Sequence, residues 1–89
     1  MKRNKDFIAD QIAGEYVAVP IGEMSKTFHG MIRLNDTARF IWDQLENDVT
    51  EAQIVDALLA HYEVDRSCAE RDVRRMVEML KDAGIVMGD

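Results

Sequence analysis

The segment 30–42 constrains the fold most, because within it a short strand changes into an amphipathic helix at a single asparagine. Residues 30–34 favour an extended strand whose side chains alternate between two faces. Asn35 is a strong N-cap residue, since its side-chain oxygen accepts a hydrogen bond from a backbone N–H two or three positions later. Apolar side chains then recur at helical spacing, at Ala38, Ile41, Trp42 and Leu45. The junction therefore predicts sheet before residue 35 and helices after it.

A hairpin is predicted ahead of this junction. Residues 7–12 and 15–20 are strand candidates, the second rich in β-branched and aromatic side chains, and Gly14 supplies the freedom that a tight turn between them needs. Pro20 lacks an N–H and is expected at a strand end or edge. We expect residues 1–6 to be flexible and residues 22–28 to form a loop.

Capping signals place the remaining helices. The Thr50–Gln53 spacing is that of a capping box, and Asp65 or Ser67 can cap a longer third helix. The helices are expected at about 36–46, 51–62 and 66–83. The predicted core contains Ile32, Leu34, Ile41, Trp42, Leu45, Ile54, Leu58, Val73, Val77, Leu80 and Ile85.

These elements predict one α+β domain over residues 1–89. The fold expected is winged-helix-like, with a three-stranded antiparallel sheet at the N-terminus followed by a three-helix bundle. No apolar run reaches the ~20 residues that span a bilayer, and the start lacks the apolar region of a signal peptide. The single cysteine, Cys68, excludes an internal disulfide framework and fits a reducing compartment, so a cytoplasmic location is expected.

Charge argues against a nucleic-acid partner. The net charge is −6, and residues 7–64 carry three positive and ten negative side chains. Residues 65–83, which contain the third predicted helix, carry five of each sign. Nucleic-acid binding normally rests on a clustered basic surface. A winged-helix DNA-binding regulator therefore stays only as an alternative.

Chemistry-bearing residues are sparse. His29, His61 and Cys68 stand in no recognised ligand spacing, and the five glycines are too far apart for a phosphate-binding loop. Cys68 has no predicted partner base, so a small, partly buried thiol is the simpler interpretation. We therefore expect no catalysis, no metal and no cofactor.

A small sheet beside a helix can instead bind an extended peptide, because an unpaired strand edge offers N–H and C=O groups to an added strand. On the third helix, Arg74 and Lys81 flank Val77, but the residues alone favour a simpler interpretation, a solvated helix surface paired with Glu70 and Glu78. A small assembly module that dimerises through an unpaired edge is the remaining alternative.

A set of short motifs resembles the PqqD-like family. They cover residues 7–86, and the Leu-Asn junction followed by Ile-Trp is the most specific of them. The motifs are Ile12-Ala13-Gly14-Glu15, Val19-Pro20-Ile21-Gly22, Phe28-x-Gly30, Leu34-Asn35-x-Thr37-Ala38, Ile41-Trp42-x-x-Leu45, Tyr62-Glu63-Val64-Asp65, Arg71-Asp72-Val73 and Leu80-x-x-Ala83-Gly84.

The resemblance implies a recognition element for ribosomally synthesised and modified peptides. Such a domain binds the leader of a precursor peptide as a strand added beside the third strand, in the groove against the third helix. It presents the peptide to a radical S-adenosylmethionine enzyme, which carries the iron–sulfur clusters itself. By position, the resemblance implies a peptide-binding site at Met31, Ile32, Arg33, Leu34, Val73, Arg74, Val77 and Lys81.

Two departures from the family pattern, the arginines of the third helix and Phe40, concern specificity and assembly. The flank of the third helix that faces the groove is not fixed by the sequence. Arg71, Arg74 and Arg75 favour an acidic leader, whereas Phe40 could cover the sheet or contact the modifying enzyme. A monomer or a strand-exchanged dimer is expected, without nucleic-acid or membrane partners.

Overall fold

The computed structural model describes residues 1–27 and 30–88. Within them, three strands of one antiparallel sheet lie in the order β2-β3-β4, and β1 pairs with β5 in a separate two-stranded sheet. No helix in these ranges is long and apolar enough to cross a membrane. The elements are β1 (Lys2–Arg3), β2 (Phe7–Ile12), β3 (Glu15–Pro20), α1 (Met24–Thr27), β4 (Ile32–Leu34), α2 (Asp36–Gln44), α3 (Glu51–His61), α4 (Arg66–Asp82) and β5 (Val86–Met87).

The predicted fold class is confirmed: a three-stranded antiparallel sheet precedes α2, α3 and α4. Three elements were not expected, and one of them is β5 at Val86–Met87. Residues 24–27 form the short helix α1 inside the predicted loop, and residues 2–3, predicted to be flexible, form β1. Phe28 and His29 lie outside the described residues.

The β2–β3 hairpin has a two-residue turn. Ile12 pairs with Glu15, and the residues between them, Ala13 and Gly14, have φ values of 55° and 83°. Positive φ at both central positions is the signature of a type I′ turn, whose twist matches that of the flanking strands. Gly14 adopts this conformation readily, whereas Ala13 pays a steric cost for its Cβ.

The first residues of the chain are tied to the helical half. Lys2 pairs with Met87 and Arg3 with Val86. The Met1 ammonium donates to a carboxylate oxygen of Asp48 at 2.7 Å and holds the pKa of that carboxyl below its usual range. Pairs this short between distant segments leave no periodic signal in the sequence, which explains why β1 was not predicted.

Two helix starts are confirmed as predicted. Asn35 Oδ1 accepts a hydrogen bond from the Ala38 backbone N–H at 2.8 Å. Thr50 and Gln53 form both hydrogen bonds of a capping box at the start of α3. Asp65 is the N-cap of α4, without a side-chain cap hydrogen bond.

The core lies between the inner face of the sheet and the apolar stripes of α2, α3 and α4. Of the predicted core, ten residues are buried and Ile32 is half-buried. Phe7 and Ala18 extend the core into the hairpin, and Met1 and Met76 also join it. The inner sheet face therefore carries Ala18 and Leu34, while Arg33, between Ile32 and Leu34, lies on the outer face.

An aromatic cluster closes one end of the helices. The Phe40 ring stacks on His61 with centroids 4.8 Å apart, and the Tyr62 ring meets Phe40 edge-on at 5.6 Å. Beside it, the guanidinium carbon of Arg39 lies 4.6 Å from the Tyr16 ring centroid, which joins α2 to β3. Phe40 of α2 thus packs against the end of α3.

Candidate peptide-binding groove

A groove separates the free edge of β4 from α4. Its volume is about 350 Å³. The strand, the N-terminal half of α2 and one flank of α4 form its walls. The lining residues are Arg33, Leu34, Asn35, Thr37, Ala38, Ile41, Asp72, Arg75, Met76 and Met79.

The hairpin fixes which backbone groups each strand turns to its neighbour. Hydrogen-bonded and non-hydrogen-bonded pairs alternate along antiparallel strands. The Ile21 N–H donates to the Asp6 carbonyl at 2.6 Å, just beyond the pair that Phe7 makes with Pro20. Counting along the register, the odd-numbered residues of β3 turn their backbone groups toward β2. The two-residue turn requires the same phase, because its closing pair is hydrogen-bonded.

The even-numbered residues of β3 therefore face β4. Tyr16 pairs with Leu34 and Ala18 pairs with Ile32. Arg33 lies between these pairs and turns its N–H and C=O in the opposite direction, toward the groove. Because β4 is an edge strand, these two groups are the backbone donor and acceptor that an added strand would meet.

The opposite wall of the groove is largely apolar. Met79 is 45% exposed on α4, and Met76 beside it is buried. Ala38 and Ile41 of α2 add apolar surface. Unbranched methionine side chains adapt to varied apolar partners, which suits a peptide-binding wall.

The charges in the groove favour anions, in contrast to the rest of the chain. Arg33 and Arg75 contribute two positive charges, and Asp72 is the one carboxylate among the described lining residues. Arg75 has no ion pair within the described part of the chain, whereas Arg74 pairs with Glu51 at 3.4 Å and Arg66 with Asp56 at 3.2 Å. Since two of the arginines of α4 are paired, the helix offers no continuous basic face for a phosphate backbone.

The predicted site residues are distributed unevenly about this groove. Arg33 and Leu34 line it, Ile32 is half-buried in the same strand, and Met31 is exposed directly before the strand. On α4, Val73 and Val77 are fully buried in the core.

The two charged residues predicted on α4 point elsewhere. Arg74 reaches Glu51 of α3, and Lys81 borders a depression near Met1 and Asp48. The α4 residues that do line the groove, Asp72, Arg75, Met76 and Met79, were not chosen from sequence. An amphipathic helix has two flanks beside its buried stripe, and only its rotation against β4 decides between them.

Two other concave surfaces are lined by no strand residue. A depression of about 520 Å³ is lined by residues 63–65 and Cys68, and one of about 630 Å³ surrounds Met1 and residues 48–53. Among the described residues, no three His, Cys, Asp or Glu side chains are grouped so that they could hold a metal ion. The β4–α4 groove is thus the one of these surfaces that combines open backbone groups with apolar walls.

Comparison with known proteins finds a family profile and solved structures that are similar to this chain. The family profile described as coenzyme PQQ synthesis protein D (PqqD) matches residues 15–86. A search of curated protein sequences finds no match.

Similar solved structures include one described as TbiB1 in complex with the TbiA(beta) leader peptide. It is 28% identical with a TM-score of 0.77, and the alignment covers 100% of this chain and 98% of that one. Another is described as lasso peptide synthetase B1 complexed with the leader peptide. It is 28% identical with a TM-score of 0.73, and 98% and 96% of the two chains are covered.

Proposed function

This chain belongs to the PqqD family, and we propose that it is a non-catalytic adaptor that binds the leader segment of a ribosomally made precursor peptide. The leader adds a strand to the free edge of β4 and lies in the groove against α4. The adaptor then presents the rest of the precursor to a modifying enzyme. Two similar solved structures, both described as complexes with leader peptides, support this function.

The open edge of β4 beside an apolar helix flank is the observation that carries the proposal. Strand addition draws affinity from main-chain hydrogen bonds and specificity from pockets for alternate side chains. Arg33 supplies the backbone pair at the edge, and Met76 and Met79 supply the apolar wall.

The proposed binding surface therefore has two parts. On the strand side it contains Met31, Ile32, Arg33 and Leu34. On α4, the groove geometry favours Asp72, Arg75, Met76 and Met79, in place of the flank that contains Arg74 and Lys81.

A radical S-adenosylmethionine enzyme is the modifying partner that the family implies, and it would carry its own clusters. The adaptor itself needs no cofactor for strand addition, which uses only backbone and side-chain contacts. A cytoplasmic location, a single domain and a monomeric or strand-exchanged dimeric state complete the proposal.

Nuclear magnetic resonance tests the proposal directly. Where a short peptide gene is found next to the gene for this chain, a synthetic copy of its leader segment is the probe, titrated into ¹⁵N-labelled protein. We expect the amides of residues 31–35 and 72–79 to shift, with micromolar or tighter affinity. Shifts confined to the β2–β3 turn, or no shifts at millimolar peptide, would contradict leader binding in this groove.

A further inference from the structure

We propose that the groove selects a leader segment with an acidic residue between two apolar residues, the acidic side chain lying opposite Arg33. This inference rests on the proposed function, because it specifies the peptide that the same groove binds. It follows from which backbone groups β4 turns toward the groove and from which side chains lie on each face of the sheet.

The outward backbone groups of Arg33 determine which residue of the added strand lies opposite it. Arg33 turns both backbone groups outward, so in an added strand that runs antiparallel to β4 one residue, here called the central residue, forms a hydrogen-bonded pair with it. Side chains directly opposite each other in a sheet lie on the same face, with Cβ atoms about 4.5–5.5 Å apart. The central side chain therefore lies beside the Arg33 side chain on the outer face.

The same alternation sends the neighbours of the central residue inward. Their side chains project on the face that carries Ile32 and Leu34, where α4 supplies Met76 and Met79. Met76 and Met79 make the part of this wall beside Asp72 and Arg75 apolar, so apolar side chains are favoured at both positions. One strand thus meets a cation at its centre and apolar surface on either side of it.

The Arg33 guanidinium is available for such a partner. Its described ion pair is with Glu15, at an N–O distance of 3.9 Å, and the two side chains are 80% and 60% exposed. A pair this long and this solvated contributes little. The added strand lies on the other side of β4 from Glu15, so the two carboxylates stand about 10 Å apart across Arg33, a distance at which salt screens their repulsion.

A second cation makes the groove as a whole more positive, although it lies on α4, on the side that the neighbours of the central residue face. Arg75, which has no ion pair among the described residues, lines the same groove, so the lining carries one net positive charge in a chain of net charge −6. The negative charge of Asp72 lowers the preference for acidic side chains near its own side of α4. A basic central residue would face Arg33 directly, and like charges in opposite strand positions are destabilising.

Selection from a displayed library of random twelve-residue peptides tests the inference. Wild-type protein and Arg33→Glu are used in parallel, and peptides that bind Arg33→Pro more weakly than Arg33→Ala are those that need the strand edge. We expect wild type to enrich apolar–acidic–apolar segments and Arg33→Glu to enrich apolar–basic–apolar segments, with the acid-to-base ratio at the centre changing about tenfold. Nuclear Overhauser contacts between the central residue and Arg33 should confirm the register.

The result shows whether the inference alone is wrong or the proposed function is wrong as well. Edge-dependent peptides with no charge preference at the centre, or with the same preference for both proteins, would overturn the inference and leave leader binding intact. If wild type enriches no peptide that depends on the β4 edge, both the inference and the proposed function are wrong.

Discussion

The guanidinium carbon of Arg3 lies 5.2 Å from the centre of the Trp42 ring, and its Nη1 donates a hydrogen bond to the Trp42 carbonyl oxygen at 2.9 Å. One side chain from β1 thus covers the most bulky core residue and binds a backbone group near the end of α2. The contact links the first strand to the helix that borders the groove.

Removing this contact should weaken the fold. Arg3→Ala loses a cation–π contact and a charge-assisted hydrogen bond, so the free energy of unfolding should fall by about 1–2 kcal/mol. Urea denaturation measures it. Lys2→Ala, at the neighbouring exposed position, is the control and should change stability by less than about 0.5 kcal/mol. Equal effects of the two variants would refute a specific role for Arg3.

Arg33→Pro should reduce leader affinity about tenfold relative to Arg33→Ala, because proline removes the N–H that faces the open edge and leaves the β3–β4 hydrogen bonds intact. Fluorescence anisotropy of a labelled leader peptide measures the change. Ala9→Pro is the matched control, since Ala9 by the same alternation faces the other free edge of the sheet, on β2. Circular dichroism checks that both variants fold; an equal loss of affinity would argue against binding at β4.

Met79→Ala should weaken leader binding about five- to tenfold, because a half-exposed apolar side chain that becomes buried contributes about 1 kcal/mol or slightly more. Met87→Ala removes a methionine on β5 that is somewhat more exposed, 57% against 45% for Met79, and should leave affinity unchanged. The same titration measures both. An unaffected Met79→Ala would remove this flank of α4 from the binding surface.

Asn35→Ala should lower the free energy of unfolding by about 1 kcal/mol, because the Ala38 N–H loses its capping acceptor. Asn35→Asp keeps an acceptor at the start of α2 and should retain most of the stability. Thermal or urea denaturation distinguishes them. Equal losses would mean that the cap hydrogen bond contributes nothing to the stability of the protein.

Ala13→Asn should stabilise the protein by about 0.5–1 kcal/mol, because asparagine tolerates the positive φ of 55° that alanine adopts at a steric cost. The same substitution at Ala60, exposed in α3, should destabilise by up to about 0.7 kcal/mol through lower helix propensity. Opposite signs in urea denaturation are the expected result. Destabilisation at both positions would contradict the type I′ turn.

The parts of the fold that depend on local chemistry could be predicted from the sequence. Asn35 and the Thr50 capping box mark helix starts with residues a few positions apart, and the hairpin turn needs only Gly14 and its neighbours. β1 could not be predicted, because Lys2 meets Met87 only after the helices have brought the chain ends together.

The candidate site likewise has one part that could be predicted from the sequence and one part that could not. Arg33 and Leu34 follow from the strand and its resemblance to a family, since alternation along a strand is readable in sequence. On α4 the predicted residues do not line this groove: Val77 belongs to the buried stripe, whereas Met79, two positions on, lines the groove. Each residue of an α-helix is rotated by about 100° from the one before it. Which flank of α4 faces β4 therefore depends on how the helix is turned against the strand, and tertiary packing alone fixes that orientation.

The shortness of β4 has a consequence for how long a bound peptide stays. A strand of three residues turns only Arg33 outward, so it offers one donor and one acceptor, each contributing about 1 kcal/mol net. Most of the residence time must then come from a few side-chain contacts, which keeps dissociation fast. A carrier that releases its cargo quickly can serve many precursor molecules in succession, and substoichiometric amounts of it would sustain a modifying enzyme.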